Sequence, residues 1–285
     1  MRIFDWMVKL LTQVDIAPRA EKFELDGKYM LLGSCFSDAI AARMKDAKLN
    51  ITSNPLGTTY NPASIADVIS LLDSSRMFDD NDCVEMGAGA GKICSFHHHT
   101  SFARETSQEF LDNANASLSQ ARTAWEQCDK VIITLGTSYI WERDGEVVNN
   151  CLKRPGKEFT HRMLTIQEIR SLLHRITASH PDKEFIWTVS PIRHLAQGAH
   201  ENTLSKASLH IALAQEELEY FPSYEILMDE LRDYRFYAED LTHPAKVAVD
   251  IIWERFLKWA FSDKDIQTIR QNEKLSKSEH HVRRT

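Results

Sequence analysis

Two hydrophobic rhythms alternate along the chain. Short unbroken apolar runs, MLL within Lys28–Cys35, VIITL from Val131 and FIWTV from Phe185, have the length and density of strands buried on both faces. Segments between them repeat their apolar positions every three to four residues, as amphipathic helices do: FSDAIAARMKDAKL after Cys35, SIADVISLL from Ser64, SQEFLDNANASLSQARTAWEQC from Ser107, TIQEIRSLLHRITASH from Thr165, SKASLHIALAQEELEYF from Ser205, and the stretch after His243. Strand alternating with helix predicts a three-layer α/β/α sandwich around a mainly parallel sheet.

The remaining pattern is punctuation. ITSNPLGTTYNP, from Ile51 to Pro62, is rich in turn residues, and Asn61 with Pro62 opens the next helix. Residues 79–101 are irregular, with short strands expected in ICSFHHH. Asp144 and Gly145 in ERDGEVV mark a hairpin. Three units follow: an N-terminal amphipathic segment (1–27), one domain (28–261), and a polar C-terminal stretch (262–285) read as a solvated helix or frayed tail.

Composition narrows the partners. The 285 residues are 43% apolar, enough for a large core, and carry a net charge of -7, without the basic footprint that phosphate-backbone binding requires, so nucleic acid is not an expected partner. MRIFDWMVKLLTQV carries Asp5 and Lys9, lacks a leader cleavage pattern and is too short an apolar run to span a bilayer; no stable membrane insertion and a cytoplasmic location are expected. Five widely spaced cysteines, with no CxxC pair, fit reduced thiols better than disulfides or structural zinc.

Ligands of parallel sheets bind at the carboxyl ends of the strands, so chemistry is sought there. Gly33, Ser34 and Cys35 follow the first strand. Gly33 permits a tight turn, and the N-terminus of the following helix lowers a thiol pKa and offers N–H donors to an oxyanion. Late in the chain, Asp240 and His243 in DLTH project from one turn, so that the carboxylate can orient the imidazole. A DxxH alone is equally a helix cap beside a structural histidine.

Taken together and in order, GSCFSD at Gly33–Asp38, NPLGTTYNP, TLGTSYIWE, FIWTVSP, YFPSYEI and DLTHP resemble the GSCFA family, over about Leu31 to Phe261. That family is similar to the SGNH (GDSL) hydrolases, which implies a flavodoxin-like sheet and acyl-ester hydrolase or acyltransferase chemistry, with carbohydrate or glycan acyl groups as substrates. By the same comparison Cys35 stands where the SGNH serine stands, Ser34 where its aspartate stands, and Asp240 and His243 match the DxxH. The nucleophile is Cys35 by position and Ser34 by residue type. Gly57 matches the second-block glycine, and Gly136 to Ser138 the third-block loop. There Thr137 and Ser138 replace Asn-Asp, so a hydroxyl of Thr137 or Ser138, the Gly57 N–H or the Asn54 side chain is expected to stand in as oxyanion donor. No cofactor is implied; coenzyme A thioesters remain open as acyl donors.

Other residues compete for attention. Tyr60 and Asn61 are beside Gly57, Tyr60 as a pocket wall and Asn61 as a helix cap. His97, His98 and His99 alternate faces in an extended segment, and no metal is expected on them. GAGAG at Gly87–Gly91 lacks the Lys-Ser/Thr of a phosphate loop. Asn150 and Cys151 receive no chemical role. Ser205 and Lys206 read as a helix N-cap, and Trp141 and Trp187 as core or pocket walls.

Overall fold

The computed structural model describes residues 11–282. Residues 1–10, the start of the expected N-terminal amphipathic segment, lie outside the described residues, and residues 11–27 carry no helix. In chain order, β1 (Lys28–Gly33), α1 (Cys35–Asp46), β2 (Asn50–Ser53), α2 (Pro62–Asp73), β3 (Val84–Glu85), β4 (Ile93–Cys94), α3 (Ser107–Gln127) and β5 (Lys130–Leu135) make the first half. Then come β6 (Tyr139–Arg143), β7 (Glu146–Val148), β8 (Thr160–Met163), α4 (Ile166–Ala178), β9 (Glu184–Val189), α5 (Ala199–Gln215), the one-turn α6 (Ser223–Glu225), α7 (Lys246–Ala260) and α8 (Asp263–Val282).

The central sheet has the order β2-β1-β5-β9, and every pair is parallel. Residues 219–221 run beside β9, where Trp187 N donates to Glu219 O and Phe221 N to Trp187 O, each at 2.8 Å, so a fifth position extends the flavodoxin-like order. Side-chain alternation divides the core into two layers. Tyr29, Leu31, Ile132 and Ile186 pack with Phe36, Ile40, Met44, Trp253 and Phe256 of α1 and α7. Met30, Leu32, Val131, Ile133 and Trp187 face the opposite way, onto α2, α3, α4 and α5.

Three local results depart from the sequence pattern. The apolar run from Val131 to Glu142 is two strands in two sheets: Gly136 N and Thr137 N both donate to Tyr60 O (2.7 and 2.8 Å), ending β5, and β6 pairs instead with β7 and β8 in a small antiparallel sheet. α5 begins at Ala199, so Ser205 and Lys206 are buried inside the helix and not at its cap. The polar stretch after Ser262 is helical and packs on the domain. Ile269 is fully buried, Trp253 Nε1 donates to Glu273 Oε1 (2.8 Å), and Asn272 Nδ2 and Ser276 Oγ donate to the Ala47 and Asp46 carbonyls (3.0 and 2.8 Å). Those two bonds satisfy carbonyls at the end of α1 that the helix itself leaves unpaired.

At the other end of α1, Gly33 has φ +133°, and a Cβ there would stand 2.2 Å from the Thr134 carbonyl oxygen on the neighbouring strand. Gly33→Ala therefore meets both a left-handed backbone and a backbone clash, and is expected to cost about 3 kcal/mol of stability. Urea unfolding measures it; a variant within about 0.5 kcal/mol of the parent would mean that the junction relaxes freely.

Candidate active site

The strand order reverses between β1 and β5, and a cleft of about 410 Å3 opens beyond their carboxyl ends. Cys35, the first residue of α1, and His243 line it together. Cys35 Sγ is 3.5 Å from His243 Nε2, and His243 Nδ1 is 2.6 Å from Asp240 Oδ2. With Nδ1–H donating to the carboxylate, Nε2 is the unprotonated nitrogen that faces the thiol; this tautomer is assigned from the network.

DLTH is a tight turn built around its own carboxylate. Asp240 Oδ1 accepts from Thr242 N and His243 N, both at 2.9 Å, while Leu241 adopts φ +56°, a left-handed conformation that few side-chain-bearing residues take up. Those backbone donors, with the imidazole, hold the Asp240 carboxyl well below the usual carboxylate range. Arg193 fastens the turn from the β9 loop: its N–H donates to Thr242 O (3.1 Å) and its Nη1 to Leu241 O (3.2 Å).

Ser34 is placed differently. It is fully buried as the N-cap of α1, its Oγ accepting from Phe36 N at 3.3 Å, and His243 contacts the neighbouring Cys35 instead. Burial pushes the Cys35 thiol up; the N–H groups of Cys35 and Phe36 pull it down by less, Asp38 adds to the rise, and Lys206 opposes it. The helix terminus thus acts in the expected direction, but desolvation outweighs it. The thiol is predominantly protonated near neutral pH, and a base beside it is needed to make the nucleophile.

The expected oxyanion donors are dispersed. Gly57 N–H donates to Asn54 O at 2.8 Å, and the glycine's φ of +91° fits a close pass against His99, whose Cβ would lie 2.2 Å from a Cβ at position 57. Asn54 uses both ends of its amide, accepting from Gly33 N (2.9 Å) and donating to Asp38 Oδ1 (2.8 Å). Ser138 is fully buried with its hydroxyl on Ser205 Oγ. Thr137 and Tyr60 do line the cleft, and Thr137 Oγ1 is 2.9 Å from Ser205 Oγ. The Cys35 N–H, at the first position of a helix, has no intrahelical acceptor and stays at the thiol.

Two residues in or under the cleft have surroundings that the sequence pattern did not give them. Lys206 is buried beneath it, donating to Gly136 O (2.6 Å) and Ser190 O (2.7 Å), so it ties the β5 loop to the β9 loop. Burial lowers its ammonium to about 7, and thiolate at Cys35 would raise it again. The signal was present: Lys206, Leu209 and Leu213 share one helical face, and the two leucines are core. His194 lines the cleft, is lowered to about 4 by burial and then by Lys206 and His243, and has a buried Nε2 without a hydrogen-bond partner. Away from the cleft, His97 Nδ1 meets Asp67 Oδ2 at 2.8 Å and His98 is buried; among the described residues no group of three or more His, Cys, Asp or Glu side chains is arranged to hold a metal. No helix among them is long and apolar enough to cross a membrane.

Residues 28–256 match the GSCFA family, and the chain belongs to it. No curated protein matches. Solved structures that resemble the fold include the psychrotrophic esterase EstA from Pseudoalteromonas sp. (11% identity, 82% of this chain and 96% of that one, TM-score 0.40). Others are the acetyl-xylooligosaccharide esterase Axe2 from Geobacillus Stearmophilus (12%, 85% and 98%, TM-score 0.38) and the acetyl xylan esterase Est2A from Butyrivibrio proteoclasticus (12%, 82% and 62%, TM-score 0.35).

The electrostatics predict a titration. Capture of Cys35 by iodoacetamide, followed across pH by peptide mass spectrometry, should show a midpoint above that of an ordinary thiol. Lys206→Met removes a cation that favours the thiolate, so the midpoint should rise further. An unchanged or lower midpoint in Lys206→Met would sever the link between the buried amine and the thiol.

Proposed function

We propose that the protein is an acyl-transfer enzyme, hydrolysing or transferring acyl groups on O-acylated carbohydrate or glycan, with Cys35 as nucleophile, His243 as base and Asp240 as orienting carboxylate. The observation that carries this reading is the 3.5 Å approach of Cys35 Sγ to an imidazole whose other nitrogen is 2.6 Å from a carboxylate, on the wall of an open cleft.

The cycle follows from the geometry. His243 Nε2 takes the Cys35 proton as Sγ attacks the acyl carbonyl carbon, and the carbonyl electron pair moves onto oxygen. In this reading the Cys35 N–H, at the head of α1, and the Thr137 hydroxyl, which lines the same cleft, serve as donors to that oxyanion. When the intermediate collapses, the C–O bond to the sugar breaks, the leaving oxygen takes the proton from His243, and a thioester remains on Cys35. Water or an acceptor hydroxyl then loses its proton to His243 and attacks the thioester, releasing acid or new ester and the free thiol. A coenzyme A thioester as donor would enter at the same first step, with a thiol leaving group.

Intact-mass spectrometry after brief exposure to 4-nitrophenyl acetate and to acetyl-coenzyme A tests the reading. One acetyl adduct is expected in the parent and none in Cys35→Ala. His243→Ala should slow its formation about a hundredfold or more. Loss of the adduct in Ser34→Ala with retention in Cys35→Ala would move the nucleophile by one residue. No site-specific adduct from either donor would leave a binding domain, a reading favoured by the engagement of Gly57 N–H and Asn54 elsewhere.

A further inference from the structure

The small sheet of β6, β7 and β8 turns part of one face toward the cleft. Strand alternation puts Tyr139 and Trp141 on the same side of β6, and the register sets Val148 of β7 and His161 of β8 opposite Trp141. All four line the same cleft as Cys35 and His243. Ile140, between the two aromatic residues, is buried in the core, so the sheet is anchored by one face and presents the other.

The presented face is a stack of flat rings. His161 lies 4.0 Å from the Trp141 ring at 26° and 4.9 Å from the Tyr139 ring at 21°. Tyr139 is held in place by its hydroxyl on Glu201 Oε2 (2.8 Å). Trp141 keeps 38% of its surface exposed, which for an indole anchored on a sheet is a large apolar area left to solvent. Beside the rings stand polar atoms that lack partners: Asn149 Oδ1 and His194 Nε2 are buried, and neither accepts nor donates a hydrogen bond among the described residues. Burial also lowers His161, leaving a neutral ring that a neutral ligand can approach without displacing a charge.

The exposed indole of Trp141, backed by the His161 ring stacked on it, is an apolar platform near unsatisfied hydrogen-bonding atoms, which fits a pyranose better than an alkyl chain. The ring's C–H face is apolar and its rim carries hydroxyls that both donate and accept. An acyl chain would cover the platform but leave Asn149 Oδ1 and His194 Nε2 unpaired. We propose that Tyr139, His161 and Trp141 form the subsite for the sugar ring bearing the acyl group, with Asn149 and His194 reading its hydroxyls. This inference rests on the acyl-transfer reading and adds the element that selects the substrate.

The test compares two substrates that share an acetyl group, acetylated xylo-oligosaccharides and 4-nitrophenyl acetate, in the parent, Trp141→Ala and Trp141→Phe. Trp141→Ala should lower kcat/KM on the saccharide at least about tenfold, mainly through KM, and by a clearly smaller factor on the nitrophenyl ester, and Trp141→Phe should recover part of the loss. Equal losses on both substrates, or none on either, would overturn the subsite. So would a loss that grows with acyl length across nitrophenyl acetate, butyrate and octanoate, which would assign the platform to the acyl chain. If the parent turns over neither substrate, the acyl-transfer reading fails by itself, and calorimetry decides the subsite alone. Cys35→Ala protein should then still bind the saccharide, and Cys35→Ala with Trp141→Ala should bind it at least about tenfold more weakly; equal binding, or none in either, would overturn it.

Discussion

The close approach of two backbones, Gly33 on β1 and Thr134 on β5, governs everything built above the sheet. Because no side chain separates them, Gly33 can take φ +133°, Ser34 N can donate to Thr134 O at 3.2 Å, and α1 starts at once with Cys35 in its first position. The same glycine is held from the far side by Asn54 Oδ1 on its N–H and by Thr59 N on its carbonyl, at 2.9 and 3.0 Å. The thiol is therefore set by a crossing of main chains, which are stiffer references than side chains. The second half of the constellation arrives independently, from a turn whose carboxylate organises its own backbone and is fastened to the β9 loop by Arg193.

Electrostatics then sets how the two halves work together. Burial disfavours charge on Cys35, Lys206 and His194 alike, so the floor of the cleft resists ionisation at each of three sites. A thiolate and an ammonium formed together cost less than the two formed independently, since each stabilises the other in surroundings of low polarity. Lys206 fixes two loop carbonyls and, when charged, favours the thiolate form of Cys35. His243 and Asp240, with side chains about half exposed, keep contact with solvent.

Much of this was legible in the amino-acid order, for reasons that differ between elements. The parallel strands and their helices were visible because burial on both faces leaves uninterrupted apolar runs, as in Val131–Leu135, and because α1 to α4 keep a helical period. Cys35, His243 and Asp240 stood out only with the ordered blocks of the family resemblance, since a DxxH alone is equally a helix cap beside a structural histidine. The oxyanion side was not legible. Whether the N–H of Gly57 or the amide of Asn54 is free depends on partners that only the folded chain brings near, and both turned out to be engaged in shaping the loop. The pairing of β6 with β8 was hidden for a similar reason, since it joins segments about twenty residues apart whose pattern does not name a partner.

Two residues stand out against their surroundings, and only Lys206, read as part of a helix cap, was misread by the pattern. Lys206 occupies a helix face otherwise made of leucines, and Trp141 alternates with the buried Ile140 on a strand. A chain selected for stability alone gains little from either, because a buried ammonium is costly and an exposed indole forgoes its burial. Such departures from local consistency concentrate at functional surfaces. Here Trp141 lines the cleft and Lys206 is buried beneath it, tied to the Gly136 carbonyl, so both departures fall at one place in the fold.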